Sequence, residues 1–210
     1  MNPDDREELI LRYRERIERL GQDIRGLASG TEERREIRFA VLSQVGNLDG
    51  ASILDLGCGF GDFYSYLKGL RLKVDYSGYD ISPDVISVAK QRFRDAHFEV
   101  RDIQDKGIPK KFDYIISSQT FNFRLRRQDN YELIKDILKA SYSMSRRGMA
   151  FDFLSSYVDF QQEDLFHYEP EKIFAYCKCL TKRVSLRHDY PLFEFAIYAY
   201  PSFEGWGKAK

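Results

Sequence analysis

Only three cysteines occur in this 210-residue chain. So few, and an odd number, make no disulfide framework, and a cytoplasmic protein with reduced thiols is the expectation. Cys177 and Cys179 are two apart and fall on different faces of any helix. With no His or Cys cluster beside them they read as packing residues, and no metal site is expected. An excess of charge of one sign is missing too: 33 basic residues balance 33 acidic ones. That removes the usual signature of a general nucleic-acid binder or of a protein drawn to anionic membranes. No apolar run is long enough to span a bilayer, and the acidic, polar opening Met1–Glu8 is the reverse of a secretory leader. No internal repeat or low-complexity tract is visible.

What is present is a composition that buries a core, 43% hydrophobic and 15% aromatic. The length suits one domain over 1–210, with a helical cap over 1–46 and a core over 51–200. Asn2 can cap a first helix, Pro3 suits its first turn, and Asp4, Asp5, Glu7 and Glu8 favour its positive end. Ile10, Tyr13, Ile17, Leu20, Ile24 and Leu27 then form an apolar stripe that Gly21 and Gly26 can interrupt. Two readings stand for the stripe: a helix packed on the main domain, or a dimer contact or lid. Thr31 looks like a second cap, for a helix that ends at Gly46.

After Gly50 short apolar runs alternate with helical stretches. Strands are expected at 52–56, 72–80, 97–100, 112–118, 149–154, 183–188 and 193–200, with helices at 62–69, after Ser82-Pro83-Asp84, and over 130–145 and 171–180. The alternation predicts an α/β fold: a doubly wound, mostly parallel seven-stranded sheet. The last two strands are joined too closely for a crossover, so they pair antiparallel.

The densest signal is Ile53-Leu54-Asp55-Leu56-Gly57-Cys58-Gly59-Phe60-Gly61-Asp62, a buried strand entering a glycine turn before a helix. Ligands gather at such turns. A dinucleotide loop needs G-x-G-x-x-G facing a pyrophosphate, but here Asp62 holds the third glycine's place and Asp55 adds a second negative charge. No Gly-Lys-Ser/Thr follows, which excludes a P-loop. A cationic ligand without phosphate fits better, and S-adenosylmethionine, with its sulfonium and ammonium, is one. Asp80 ends the second strand about 20 residues on, where an acid chelates a ribose, with Ile81 beside it. Asp102 and Ile103 follow the third strand, placed for an adenine amino group and ring. Ser117, Ser118 and Gln119 end the fourth. Asp113 sits at a strand start and reads as structural.

These four ordered stations resemble those of the class I S-adenosylmethionine-dependent methyltransferases, over residues 31–200. Arg38-Phe39, Leu42 and the LDLGCGFGD stretch are also similar to small bacterial enzymes of that family that act on small molecules. The resemblance implies a Rossmann-like core and S-adenosylmethionine as cofactor. It places cofactor contacts at Asp55, Gly57, Cys58, Gly59, Gly61, Asp62, Asp80, Ile81, Asp102, Ile103, Ser118 and Gln119, and methyl transfer to an oxygen or nitrogen of a small acceptor.

Candidates for the acceptor side are His167 and His188 as bases and Phe123, Tyr157, Tyr168 and Tyr190 as an aromatic wall, the wall being equally readable as core. Tyr13 and Arg38 are candidate contacts from the cap. Ser117–Asn122 lacks the Asn/Asp-Pro-Pro-Tyr/Phe clamp used on nucleobase amines. Arg124, Arg126 and Arg127 read either as a solvated loop or as a site for an anionic acceptor. Two alternatives stay open: an RNA- or protein-directed methyltransferase using the basic patches, and a non-catalytic cofactor-binding partner docking through the first helix. A homodimer through that helix is a further expectation.

Overall fold

The computed structural model describes residues 1–23, 25–27 and 30–201. Helix α1 spans Pro3–Leu20; the Asn2 side chain accepts from the Asp4 and Asp5 amides, and Gly21, at φ 89°, ends the helix. The apolar stripe therefore continues past the helix into a turn, and Ile24 lies outside the described residues. Helix α2 is Glu32–Leu42, capped by Thr31, and a single 3₁₀ turn, Ser43–Val45, follows it.

The core then runs β1 (Ser52–Leu56), α3 (Asp62–Gly69), β2 (Asp75–Asp80), α4 (Pro83–Arg92), β3 (His97–Val100), α5 (Ile103–Lys106), β4 (Phe112–Ser117), α6 (Asn130–Met144), β5 (Ser145–Leu154), α7 (Pro170–Leu180), β6 (Val184–Arg187) and β7 (Glu194–Ala199). The sheet order is β3-β2-β1-β4-β5-β7-β6. Only β7 runs against the rest, pairing antiparallel with both β5 and β6. This is the fold expected from the sequence.

Most element ends fall within a residue or two of the sequence reading, and three features depart further. The second strand starts at Asp75, because Leu72 turns back to the Leu67 carbonyl. The fifth starts at Ser145, which pairs with Phe112 ahead of a register irregularity. The short α5 was not foreseen; the Asp102 side chain starts it by accepting from the Gln104 amide at 3.0 Å.

Helices cover both faces of the sheet. Phe39, Leu42, Phe63, Leu67 and Ala89 from α2, α3 and α4 pack on one face. Leu133, Ile134, Ile137, Ile173 and Cys177 from α6 and α7 pack on the other. Strand side chains alternate between faces, so Asp55 shares the α2 side with Ile53, Asp152 with Ala150, and Glu194 with Ala196 and Tyr198. Three buried carboxylates thus look toward the helix that carries Arg38.

Helix α1 lies over the carboxyl ends of the strands. Tyr13, Ile17 and Leu27 pack on Phe60, Val85 and Val88. The stripe considered for a dimer contact is spent, at these positions, on the chain's own surface. Asp5, 2% exposed, accepts the Arg126, Arg127 and Gln128 amides at 2.9–3.3 Å and pins the helix to the loop after β4.

Candidate active site

The turn after β1 needs its glycines. Gly57, Gly59 and Gly61 stand at φ 71°, 56° and 82°, the left-handed region where a side chain is strained. A Cβ on Gly57 would come 2.1 Å from Thr120 Oγ1, and one on Gly59 would come 2.8 Å from Leu27 Cδ1. The Tyr79 carbonyl accepts both the Gly57 and the Cys58 amides, holding the turn against β2.

Asp80 Oδ2 accepts the Gly59 amide at 3.2 Å and Oδ1 the Ser82 amide at 3.0 Å. Burial raises the Asp80 carboxyl above its ordinary range, and these amides oppose the rise. Asp102 and Ile103 stand across the cleft, with Ile81, Tyr79, Phe121, Leu133 and Ile137 as its apolar walls. Asp102 Oδ2 also accepts from the Met1 amino group at 3.3 Å. Met1, Tyr13 and Leu27 close this cleft from the cap.

A smaller recess continues under the glycine turn and is lined by Asp55, Gly57, Cys58, Gly59, Asp62, Ser118, Arg35 and Arg38. Burial, with Asp80, Asp62 and Asp152 adding to it and a Tyr76 hydrogen bond of 2.5 Å opposing it, pushes the Asp55 carboxyl up to about 7. Asp62 is partly neutralised, 3.0 Å from Arg35 and 3.4 Å from Arg92. Asp113 is at the far end of the sheet and accepts from the Ser52 amide and hydroxyl. Against the cost of burial, these bonds hold its carboxyl low, a structural role as expected.

The twelve predicted cofactor residues therefore converge on the strand ends. Eleven line the cleft or the recess, and Gly61 supplies the start of α3. The chemistry of the set suits S-adenosylmethionine. It offers carboxylates for a diol and an amino group, apolar walls for a purine, and a buried acid beside two arginines for the charged amino-acid end.

Comparison with known proteins agrees. Residues 47–196 match the methyltransferase-domain family. Rv1506c of Mycobacterium tuberculosis, which bears a methyltransferase name, is 38% identical over 161 residues, 73% of this chain and 95% of that protein. The chain belongs to the class I S-adenosylmethionine-dependent methyltransferases.

The fold of this methyltransferase is shared with magnesium protoporphyrin IX methyltransferase from Synechocystis PCC 6803, solved with bound SAH. That match has a TM-score of 0.67 at 17% identity, over 95% of this chain and all of that one. A Clostridium acetobutylicum S-adenosylmethionine-dependent methyltransferase matches with a TM-score of 0.61 at 16% identity, over 83% and 94% of the two chains.

Beside the cleft at the strand ends the methyltransferase has a second cavity of about 630 Å³, and Tyr13, Leu27, Gln119 and Phe123 line both. Of the predicted acceptor-side residues, Phe123 and His167 line this cavity. His188 and Tyr157 are exposed and lie against each other, outside it. Tyr168 is core, its hydroxyl donating to the Phe121 carbonyl. Tyr190 is half-buried, packs behind the site and lines neither cavity.

The arginine run is neither free nor at the cavity. Arg126 pairs with Glu8 and Arg127 with Asp4, while Arg124 donates to the Glu163 and Leu165 carbonyls.

Sequence reading missed Asp152 and Glu194. Asp152 accepts from Ser118 Oγ, the Gln119 amide and Gln119 Nε2, and so pins Gln119 at φ 58°, a left-handed non-glycine costing about 1–3 kcal/mol. Glu194, 1% exposed, meets Arg38, 3% exposed, at 3.2 Å. Burial raises both acids, and Arg38 opposes the rise. Their signal was legible: each is a lone acid in an apolar run of sequence, 149–154 and 193–200. Such an acid implies a buried partner.

Proposed function

We propose that this methyltransferase transfers a methyl group from S-adenosylmethionine to an oxygen or nitrogen of a small organic acceptor held in the 630 Å³ cavity. The observation that carries the reading is the shared wall: Tyr13, Leu27, Gln119 and Phe123 stand between a cleft suited to the donor and a larger, partly open space beside it. In this reading Asp80 holds the ribose hydroxyls, Asp102 and Ile103 the adenine, and Asp55 with the recess arginines the amino-acid end. When bound, the donor supplies a sulfonium methyl; the acceptor's lone pair bonds to that carbon as the C–S bond breaks and its electron pair returns to sulfur.

The chain's own share is positioning and exclusion of water. Gln119, fixed by Asp152, shapes the neck between the two spaces. His167 receives the acceptor's proton. Burial, with Arg124 adding to it, lowers its imidazole pKa, so it is neutral and ready to accept. The arginines after β4, paired within the chain, favour a small acceptor over RNA or protein. Unpaired Cys58, Cys177 and Cys179 support a reducing, cytoplasmic setting.

Titration calorimetry tests the donor site. S-adenosylmethionine binds one per chain, and Asp80→Ala, losing the ribose contacts, lowers affinity about 100-fold with the circular dichroism spectrum retained. Unchanged affinity in that folded variant refutes the placement.

A further inference from the structure

The acceptor cavity carries more positive charge than its own walls consume. Five guanidinium groups line it, those of Arg12, Arg16, Arg25, Arg34 and Arg38, against the carboxylates of Asp159, Asp164 and Glu194. Most of these charges are spoken for. Arg12 pairs with Asp164 and lies over the Phe123 ring, and Arg25 pairs with Asp23. Arg38 and Arg34 share Glu194, Arg34 at the longer 3.4 Å. Asp159 is exposed at the rim.

Arg16 is different. It donates to the Arg25 carbonyl at 2.7 Å, and among the described residues it meets no carboxylate. Its Nε is buried without a hydrogen-bond partner. So is Arg34 Nε, and so is Nδ1 of His167 in the same cavity. A buried guanidinium N–H left without an acceptor costs about 1–3 kcal/mol, and such gaps in a folded protein mark a missing partner. The remaining wall is mixed: Phe123, Leu154, Leu165 and Phe193 give it an apolar side, beside Gln119, Asn122 and Gln162.

We infer that the acceptor is an apolar organic anion, its carboxylate or phosphate oxygens accepting from Arg16 and Arg34 and its apolar body lying on the Phe123 side. The inference rests on the acceptor assignment above and adds to it the charge of the substrate. A planar guanidinium fork matches the charged, paired oxygens of a carboxylate or phosphate, which a neutral amide or alcohol does not offer. The sequence left Arg124, Arg126 and Arg127 open between a solvated loop and an anion site; in this inference the anion is met instead from the cap, where α1 and α2 bring Arg16 and Arg34 over one cavity.

Two fluorescent probes with one skeleton test this: 1-anilinonaphthalene-8-sulfonate, which is anionic, and N-phenyl-1-naphthylamine, its uncharged counterpart. Both are titrated into protein saturated with S-adenosylhomocysteine. The anion is expected to bind at one site at least about tenfold more tightly than the neutral dye, a gap of about 1.4 kcal/mol. Arg16→Gln combined with Arg34→Gln should abolish that gap, and Arg16→Lys should keep part of it. Displacement by inorganic phosphate or by benzoate then separates a phosphate from a carboxylate acceptor.

Equal binding of the two dyes, or anion binding indifferent to the arginine variants, overturns the inference. Calorimetry with S-adenosylhomocysteine on the same samples keeps the two readings apart. Failure there refutes the donor site, while intact donor binding without charge preference refutes only the anionic acceptor.

Discussion

Arg38 and Glu194 are 156 residues apart in the chain and 3.2 Å apart in the fold, one on α2 and one at the start of β7, both almost wholly buried. The pair joins the cap to the antiparallel strand in the wall of the 630 Å³ cavity. Removing one member of a buried pair strands the other charge, at about 3–5 kcal/mol. Glu194→Ala should lower the urea unfolding free energy by about that amount, and Glu194→Gln by less. A midpoint unmoved by Glu194→Ala would mean the pair carries no stability.

Asp55 gives a pH signature. Its carboxyl is pushed up to about 7 in the fold, against about 3.9 in an unfolded chain. Between those values the folded protein keeps a proton that the unfolded chain has released. Stability from this group is therefore full below about pH 4 and is lost as pH rises through 7, by up to about 4 kcal/mol. A cationic donor favours the ionised carboxylate, so binding should release a proton near neutrality and tighten as pH rises. Calorimetry in buffers of different ionisation enthalpy measures that proton, and Asp55→Asn should remove it. Proton release undiminished in Asp55→Asn would point to another group.

The two histidines should separate cleanly. His167→Ala is expected to slow methyl transfer by roughly 10²–10⁴ for an acceptor that loses a proton, with added imidazole restoring part of the rate. His188→Ala should leave the rate unchanged, because His188 lies outside the cavity. Labelled-methyl transfer across pH decides it; an identical pH–rate profile in His167→Ala would exclude the imidazole as base.

Asp5 is the latch of the cap. Replacing it with Ala removes the acceptor of three backbone amides after β4, worth about 1.5–3 kcal/mol for a charged acceptor. Hydrogen exchange should rise across Pro3–Leu20 and over Arg126–Gln128 while the sheet stays protected, and donor dissociation should accelerate. Unaltered exchange in α1 would show the helix held by its apolar stripe alone.

Local chemistry made much of this protein legible in advance. The period-two and helical patterns, Asn2, Thr31 and Ser82 as caps, and the glycines that must turn left-handed after β1 depend on neighbours a few residues away. That Asp80 and Asp102 share one cleft follows because parallel strands put their carboxyl ends on one edge of the sheet. Long-range pairing was beyond such reading. Asp5 reads locally as an acid favouring a helix start, and only packing turns it into an anchor 121 residues away. Arg124–Arg127 resemble a ligand patch until α1 arrives to neutralise two of them. Asp152 and Glu194 are conspicuous in apolar strands, yet which cations or amides satisfy them is decided by which elements the fold stacks together. The sequence by itself determined the sheet, the glycine turn and the edge where the strand-end acids gather, because these obey backbone geometry and side-chain period. The tertiary structure alone decided which residues line the second cavity and how its buried charges pair, because a buried charge's meaning depends on partners that only three-dimensional packing supplies.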